Sequence, residues 1–280
     1  MPPEPLDLAL LAGRSAVLPA AIRPDWPAPA NITALMSTRQ GGVSTAPFDS
    51  LNLRPPGLPG GDPDDPAAVR ENQRRFAAAL GARPQWLNQV HGADVVRLHA
   101  GMPADALPQA DASICTDPGI ACAVLVADCL PVLLCAADGS GVGAAHAGWR
   151  GLAGGVLDNT VAALCRATGR APADLHAWLG PCIGPTAFEV GEDVLQAFGA
   201  DPARPDPALF VSRQRADGSP AWRANLVALA HRRLLAIGLR RISGGAWCTV
   251  GDASRFFSFR RDRRTGRLAA AIGLRSARPI

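Results

Sequence analysis

The sequence predicts an α+β (mixed α/β) fold in which buried mixed β-sheets are flanked by outer helices. The first observation is the run "ACAVLVADCLPVLLCAADGSGVGAAHAG" at residues 121–148, which is apolar almost throughout and broken only at Pro131 and "ADGSG". Strands that are covered on both faces have this composition. The second observation is that helical and strand-like segments are mixed without a strict βαβ alternation.

The third observation is the lack of a division along the chain. Its 280 residues contain no internal repeat and no linker long enough to separate two domains. A chain of this length buries a sizeable core. We therefore predict a single compact domain over residues 31–280, preceded by an irregular segment, residues 1–30, that is rich in Pro and Ala.

In the N-terminal half, residues 31–44 ("NITALMSTRQGGVS") have the profile of a strand that runs into a glycine turn. The Pro and Gly residues of segment 54–66 predict a loop. Acidic residues and Pro precede a helical spacing in "DDPAAVRENQRRFAAALG", which predicts a helix that ends at Gly81. Residues 84–98 are predicted to form a strand, a tight turn at "HGAD" and a second strand.

In the C-terminal half, residues 152–169 are predicted to form a helix that ends at Gly169, followed by a strand and loop at "LHAWLGPCIG". Further helices are predicted at "EDVLQAFGA" and at residues 223–239, whose spacing is strongly amphipathic. The segments "RRISGGAWCT" and "FFSFRRDRRTGRLAAAIGL" are predicted to be strands, the second folded into a hairpin at "DRRTG".

The charged residues and the apolar runs exclude several classes of function. The chain has no lysine, which excludes Schiff-base and P-loop lysine chemistry. The net charge is +4 and the arginines are spread along the chain, so we expect no nucleic-acid binding. No apolar run approaches the ~20 residues that span a bilayer. The acidic, proline-containing start is unlike a secretory signal, so we expect a cytoplasmic protein.

Three residues form a candidate metal site: His91 in "NQVHGAD", Cys129 in "VADCLP" and His146 in "AAHAGWRG". A hairpin that turns at "ADGSG" brings Cys129 close to His146 across the ladder if a bulge occurs at Pro131. His91 must come from a different strand pair, and the sequence does not place it.

Two imidazoles and one thiolate leave a fourth coordination position open, which is the pattern of catalytic zinc. The carboxylate of Asp128, beside Cys129, is predicted to orient a ligand. The other three histidines, His99, His176 and His231, lie in strand or helix runs and are expected to be structural. The seven cysteines contain no CxxC pair and are expected to be mostly buried thiols.

Five motifs in this order resemble the laccase-domain purine nucleoside phosphorylase family: "NQVHG", "ADCLPVL", "AHAGWRG", "LGPCIG" and "FFSFRRD". The resemblance extends from "STRQGGVS" to near the C-terminus. It implies a compact α/β fold and a single zinc ion held by His, Cys and His, which correspond to His91, Cys129 and His146. It also implies phosphorolysis of adenosine, guanosine, inosine and methylthioadenosine, and deamination of adenosine, with residues 31–280 as the catalytic domain.

If phosphate is a substrate, the "AHAGWRG" motif offers a place for it. Gly148 and Gly151 allow the chain to turn from a strand into a helix that starts near Leu152, and exposed amides there, with Arg150, would bind the anion. Arg39 in "TRQGG" is a second candidate, since a glycine turn also presents amides. A structural salt bridge would explain Arg150 equally well.

The remaining expectations concern substrates and cofactors. The predicted substrate- and phosphate-binding residues are Arg39, Asn52, Gln89 and Arg150. The predicted catalytic residues are Arg150, Asp128 and Cys129. We expect zinc as the cofactor, copper as an ion that the same site can bind in vitro, purine nucleosides and phosphate as the partners, and a monomer.

Two other functions stay open at this point. A copper-dependent polyphenol oxidase needs more imidazole than five histidines supply, usually with a His-X-His motif, which this chain lacks. A cysteine hydrolase would use Cys129 or Cys182 as the nucleophile and a histidine as the base. Some members of the resembling family are described as editing peptidoglycan precursors by amide cleavage. A metal-bound Cys129 is a poor free nucleophile, so zinc content separates this function from the nucleoside enzyme.

Overall fold

The computed structural model describes residue 18 and residues 20–276. In this part the chain forms thirteen β-strands and six α-helices. The strands are β1 (Ile32–Met36), β2 (Arg83–Gln85), β3 (Val95–Leu98), β4 (Ala112–Cys115), β5 (Ile120–Val126), β6 (Leu130–Ala136), β7 (Val142–Ala147), β8 (Leu175–Leu179), β9 (Glu189–Val190), β10 (Phe210–Gln214), β11 (Pro220–Ala224), β12 (Arg241–Gly244) and β13 (Leu268–Leu274). The helices are α1 (Pro66–Leu80), α2 (Trp149–Ala153), α3 (Val156–Thr168), α4 (Glu192–Ala197), α5 (Leu226–Ala236) and α6 (Phe259–Asp262).

Two mixed sheets stack face to face at the centre of the molecule. A four-stranded sheet has the order β1-β13-β5-β2, and a six-stranded sheet has the order β12-β8-β6-β7-β4-β3. Helix α1 covers the outer face of the four-stranded sheet. Helices α3 and α5, with the three-stranded sheet β10-β11-β9, cover the outer face of the six-stranded sheet. The predicted buried mixed sheets with outer helices are therefore confirmed.

Strand β6 explains the long apolar run. All seven of its residues are buried. Val132 and Leu134 pack toward the helices, whereas Leu133 and Cys135 pack between the two sheets. Because successive side chains of a strand point to opposite faces, a strand buried on both sides shows no polar alternation.

Helix α1 confirms the most detailed helix prediction. The side chain of Asp65 accepts hydrogen bonds from the backbone N–H groups of Ala67 and Ala68, which satisfies two donors that the helix itself leaves unpaired. The helix ends at Gly81, whose φ of 75° is the left-handed conformation that glycine adopts without strain.

Two predicted strand pairs are wrong. Residues 84–98 do not form a hairpin, because β2 belongs to the four-stranded sheet and β3 to the six-stranded sheet. Residues 86–94 therefore cross from one sheet to the other. The segment "FFSFRRDRRTGRLAAAIGL" contains the single strand β13, preceded by the short helix α6, which is capped by Ser258. Local patterning cannot distinguish a hairpin from a crossover, since the partner strand decides between them.

The N-terminal boundary stays a prediction. Residues 1–17 and residue 19 of the predicted irregular segment lie outside the described residues. Within the described part, Ile22 forms an isolated bridge with Met36 at the end of β1. No helix in the part of the chain that the structure describes is long and apolar enough to cross a membrane.

Candidate metal centre

The hairpin of β6 and β7 positions two of the three candidate ligands. It turns at residues 137–141, as predicted, and its register pairs Pro131 with His146. The register is uniform along the hairpin, so the predicted bulge at Pro131 is wrong. Cys129 approaches His146 because it lies directly before the first paired residue of β6.

The third ligand, His91, comes from the crossover between β2 and β3. Its backbone has a φ of 61°, and Asp128, which precedes Cys129, has a φ of 96°. Residues other than glycine seldom adopt this left-handed conformation. Both turns occur where the chain passes from the four-stranded to the six-stranded sheet, and they bring the His91 and Cys129 side chains together.

The three donor groups lie close enough to share one ion. Cys129 Sγ is 3.8 Å from His91 Nε2. The rings of His91 and His146 have centroids 4.8 Å apart and are inclined by 76°. The ligand atoms of all three residues lie within 4.8 Å of one another. In a tetrahedral zinc site such atoms are separated by roughly 3.3–3.6 Å, so small side-chain movements suffice to close the site.

Gly148 keeps the space between the donors open. A Cβ atom at this position would lie 3.0 Å from Cys129 Sγ and 3.0 Å from His91 Cδ2. The φ of Gly148 is −61°, which any residue adopts, so the backbone itself does not require glycine. The lack of a side chain leaves the cradle free, and the residues present fit an ion that takes two imidazoles and a thiolate.

Asp111 holds the two histidine ligands in place. Its Oδ1 accepts a hydrogen bond from His146 Nδ1 at 2.8 Å and from the backbone N–H of His91 at 2.9 Å. Its Oδ2 accepts the backbone N–H groups of Val90 and Gly92. Because an ionised carboxylate only accepts, His146 carries its proton on Nδ1 and presents Nε2 to an ion.

The carboxylate that orients a ligand is therefore Asp111, and the predicted orienting role of Asp128 is wrong. Asp128 Oδ1 accepts from Thr249 Oγ1 at 2.6 Å, and its Oδ2 accepts the backbone N–H of Arg260 at 2.6 Å. The Asp128 side chain thus bonds to Thr249 and to the backbone of Arg260 instead of to a candidate ligand. A sequence signal for Asp111 did exist, since this carboxylate immediately precedes the apolar strand β4.

The ligands also change each other's ionisation. Burial raises the pKa of the Cys129 thiol, but the imidazoles of His146 and His91 outweigh burial and lower it to about 6. Burial lowers the pKa of His146, whereas Cys129 and Asp111 raise it to about 9. Burial raises the pKa of Asp111, and its hydrogen bonds bring it below the ordinary value. Without a metal, the site therefore favours a thiolate beside an imidazolium.

An open cavity of about 540 Å³ lies over the three donors. Its charged lining, apart from the donors, consists of Asp128, Arg54, Arg150, Arg260 and Arg267. In the described part of the chain, none of the four guanidinium groups forms an ion pair with a carboxylate. A cavity lined by unpaired cations attracts anions. The sequence analysis proposed a role for one of these arginines, Arg150. Arg260 lies in the motif "FFSFRRD", but no role was predicted for it or for Arg54 and Arg267.

Two of the predicted substrate-binding residues line this cavity. The guanidinium of Arg150 lies over the ring of Trp149, with Cζ 4.3 Å from the ring centroid. Gln89 also lines the cavity, but its amide is bound to the backbone N–H and C=O of Leu125, at 2.8 and 2.9 Å. Gln89 therefore presents its side chain mainly to the neighbouring strand.

The other two predicted substrate-binding residues do not line the cavity. Arg39 Nη2 forms an ion pair with Asp49 Oδ2 at 3.1 Å, beside a separate surface hollow. Asn52 is 2% exposed and forms its hydrogen bonds inside the protein. Neither the glycine turn beside Arg39 nor the residue type of Asn52 shows whether a polar side chain is already paired.

The chain enters its helix earlier than the sequence predicted. Helix α2 begins at Trp149 and has five residues, and α3 follows it after Gly155, whose φ is 92°. A Cβ atom at Gly151 would lie 2.7 Å from the backbone oxygen of Gly92. Gly151 therefore allows α2 to pack directly on the crossover that carries His91.

Comparisons with known proteins agree with this architecture. The chain matches the family model described as multi-copper polyphenol oxidoreductase laccase over residues 33–275. It is 48% identical over 256 residues to a purine nucleoside phosphorylase of Pseudomonas aeruginosa, which covers 91% of this chain and 98% of that protein. It is also 48% identical over 255 residues to the purine nucleoside phosphorylase YfiH of Escherichia coli, with 90% and 98% covered.

Solved structures show the same fold. The Neisseria meningitidis protein NMB0706 superposes with a TM-score of 0.79 at 43% identity, covering 92% of this chain and 100% of that chain. YlmD from Geobacillus stearothermophilus superposes with a TM-score of 0.80 at 33% identity, with 93% and 98% covered. The single mixed α/β domain is thus shared with both proteins.

Proposed function

This chain belongs to the family described as multi-copper polyphenol oxidoreductase laccase, as its five motifs predicted, and we propose that it is a zinc-dependent purine nucleoside phosphorylase. Adenosine, guanosine, inosine and methylthioadenosine are the proposed substrates, with deamination of adenosine as a second reaction. The observation that carries the proposal is a centre of three potential metal donors that opens into a cavity lined by four arginines, none of which forms an ion pair with a described carboxylate. The names of the similar proteins support it.

Phosphorolysis places clear demands on the cavity. A bond forms between a phosphate oxygen and C1′ of the ribose, while the bond from C1′ to the purine nitrogen breaks and its electron pair leaves with the base. Phosphate must be held against the ribose with its charge partly neutralised, which guanidinium groups do by paired hydrogen bonds. The arginines of the cavity, Arg150 among them, are proposed to supply these contacts.

The metal is proposed to sit between His91, Cys129 and His146. When bound, zinc supplies a Lewis acid at the edge of the cavity. Asp111 fixes the tautomer and ring orientation of His146 and anchors the loop of His91. Asp128 holds Thr249 and the backbone of Arg260, so it is proposed to shape the cavity wall beside Cys129.

A cysteine hydrolase is the second candidate, and one observation favours it. Cys129, His146 and Asp111 form a chain of nucleophile, base and orienting carboxylate, and the pKa of Cys129 is lowered to about 6. Such a chain would cleave an amide, as in the editing of a peptidoglycan precursor. Cys182 does not suit this role, because it is buried and burial raises the pKa of its thiol.

A polyphenol oxidase with several copper ions fits the described residues poorly. They contain one group of three potential metal ligands, whereas a multicopper centre needs many more donors. Copper is therefore proposed only as an ion that the three-donor site binds in vitro. We further propose that the protein works as a monomer in the cytoplasm and does not bind nucleic acid.

Metal analysis and a phosphate-dependent assay test the proposal together. Purified protein should contain zinc, and it should release ribose 1-phosphate from inosine and adenosine only when phosphate is present. A strong chelator should abolish this activity and zinc should restore it. Ammonia release from adenosine measures the second reaction in the same samples.

Variants of the ligands make the assay specific. Cys129→Ala and His146→Ala should lose zinc and activity but remain folded, whereas His231→Ala, at an exposed position of α5, should keep both. Stoichiometric zinc in either ligand variant would contradict the ligand assignment. Activity that resists the chelator and disappears on thiol alkylation would favour the hydrolase.

A further inference from the structure

We infer that Arg54 and Arg267 together form the subsite that binds inorganic phosphate in this cavity. The inference rests on the proposed phosphorolysis, and it assigns the phosphate to two arginines that the sequence did not mark. Both side chains line the cavity that holds His91, Cys129 and His146.

One buried amide fixes both arginines at the same place. Asn52 Oδ1 accepts the backbone N–H of Arg267 at 2.8 Å and that of Arg54 at 3.2 Å. Asn52 Nδ2 donates to Asp64 Oδ2 at 2.9 Å, which sets the orientation of the amide. The backbone N–H of Leu53 donates to the carbonyl of Arg267 at 3.1 Å. Two residues far apart in the sequence are thereby held side by side.

The guanidinium groups are oriented but not neutralised. Arg54 Nη2 donates to the carbonyls of Leu58, Pro59 and Gly60, and Arg267 Nη1 donates to those of Thr265 and Gly266. Among the described residues, the Nε groups and the other terminal nitrogens of both side chains have no hydrogen-bond acceptor. Arg267 therefore keeps the edge formed by its Nε and Nη2 free, whereas Arg54, whose Nη2 is occupied, keeps separate donors at Nε and Nη1. A phosphate dianion has enough oxygens to accept from both side chains.

The electrostatics of the pair favour a bound anion. Burial lowers the pKa of Arg267, and the Arg54 cation lowers it further, whereas Cys129, Asp128 and Asp62 act in the opposite direction. Burial also lowers the pKa of Arg54. Two partly dehydrated cations that repel each other are unfavourable until an anion lies between them. The influence of Cys129 and Asp128 on Arg267 also locates the pair beside the metal centre.

The other two arginines of the cavity are less suited to this role. Carbonyls, those of Ala187 and Glu189, also orient Arg260, but its guanidinium lies over the ring of Phe188 and is not anchored beside a second one by Asn52. Arg150 stacks on Trp149 and stands alone. A single stacked guanidinium binds phosphate more weakly than two guanidinium groups anchored together.

The test compares four single variants of the zinc-loaded enzyme. Arg54→Gln and Arg267→Gln should raise the KM for phosphate by about ten- to a hundredfold, the range for loss of a charge-assisted contact. The KM for inosine and the zinc content should stay unchanged. Arg264→Gln is the matched control, because this arginine lies near Arg267 in sequence but is exposed and points to Asp62. Arg150→Gln is the comparison for the alternative phosphate site.

Direct binding keeps the test independent of turnover. Calorimetric titration with inorganic phosphate at constant ionic strength should show the same loss of affinity in both variants. If either variant fails to fold, Arg54→Lys and Arg267→Lys replace it. These changes retain the charge but not the forked donors, and they should weaken phosphate binding as well.

The possible results separate this inference from the proposed function. If the protein does not cleave nucleosides, the phosphorylase is refuted. If both variants then still bind inorganic phosphate more weakly than the wild type, the subsite is supported. An unchanged phosphate KM in both variants, with a raised KM in Arg150→Gln, would overturn the subsite and leave the phosphorylase standing.

A parallel titration with adenosine 5′-monophosphate distinguishes the source of the phosphate group. If Arg54→Gln and Arg267→Gln lose binding of the nucleotide but bind inorganic phosphate as well as the wild type does, the inference is also overturned.

Discussion

At the scale of single residues, Asp111 connects the two histidine ligands, because one of its oxygens accepts from both His91 and His146. Its other oxygen accepts two further backbone N–H groups of the same crossover. A neutral amide would keep the shape of the side chain but turn one acceptor into a donor, which would face an N–H group. The effect of losing this carboxylate should therefore appear in metal affinity.

We expect Asp111→Asn to weaken zinc binding by ~10–100-fold, the usual effect of removing a group that orients a metal ligand. Titration against a competing chelator measures this change. Asp117→Asn is the matched control, since Asp117 follows the same strand and accepts the backbone N–H of Ala100 away from the metal centre. Equal zinc affinity in Asp111→Asn and the wild type would show that Asp111 is only structural.

The thiol of Cys129 gives a pH prediction at the same scale. Because its pKa is lowered to about 6 in the absence of metal, the thiolate predominates above that pH, and protonation removes it below. A free thiol would become reactive only near pH ~8.5. Alkylation of the metal-free protein by iodoacetamide should therefore reach half its maximal rate near pH 6, and zinc should block it. A midpoint above pH 8 would refute the thiolate–imidazolium pair.

At the scale of secondary structure elements, the junction of β7 and α2 determines the space in the metal centre. Gly148 lies there between the ligand His146 and the first residue of the helix, Trp149. The backbone at Gly148 is ordinary, so a small side chain is compatible with the helix start. Its Cβ would nevertheless press against Cys129 and His91.

We expect Gly148→Ala to fold normally but to bind zinc at least ~10-fold more weakly, because the methyl group displaces two donors from their positions. Zinc content and melting temperature, measured together, separate these effects. Gly101→Ala is a suitable control, since a Cβ there meets only the side chain of His99, at 3.4 Å or beyond. Full zinc affinity in Gly148→Ala would mean that the donors tolerate the methyl group.

At the scale of the whole molecule, the candidate metal centre lies where the chain crosses between the two central sheets. His91 and Cys129 lie on the two connections that pass from the four-stranded to the six-stranded sheet, and His146 is the penultimate residue of β7 in the six-stranded sheet. An ion bound by all three binds the folded chain and not the unfolded one. Such a ligand stabilises the fold by about 2.7 kcal/mol at a hundred times its Kd.

Zinc should accordingly raise the melting temperature by about 5 °C or more at that concentration. Differential scanning calorimetry of the chelated and the reloaded protein measures the shift. Cys129→Ala should show no shift, and His231→Ala should show the full one. A similar zinc effect in Cys129→Ala would indicate that the ion binds elsewhere.

Much of the fold and part of the site could be predicted from the sequence because they are written in local patterns. The doubly buried strands appear as a continuous apolar run, α1 has its capping Asp65 and terminal Gly81, and the hairpin turn is marked by "ADGSG". Similarly, Cys129 and His146 flank one hairpin, so their approach follows from its register. Their identity as candidate ligands needed only residue type and the small neighbours of each.

Other features depend on which distant segments become neighbours, and no local pattern contains that information. The crossover at residues 86–94 resembles a hairpin until β2 and β3 are seen in different sheets. Asp111 and His146 lie 35 residues apart and meet because β4 pairs with β7. Arg54 and Arg267 meet at Asn52 through β13 and the loop after β1. The sequence alone therefore determined the fold class, the single domain and the identity of the three candidate donors. Tertiary structure decided where His91 lies, which carboxylate contacts the candidate donors and which arginines line the cavity, because burial and pairing are set by contacts between remote parts of the chain.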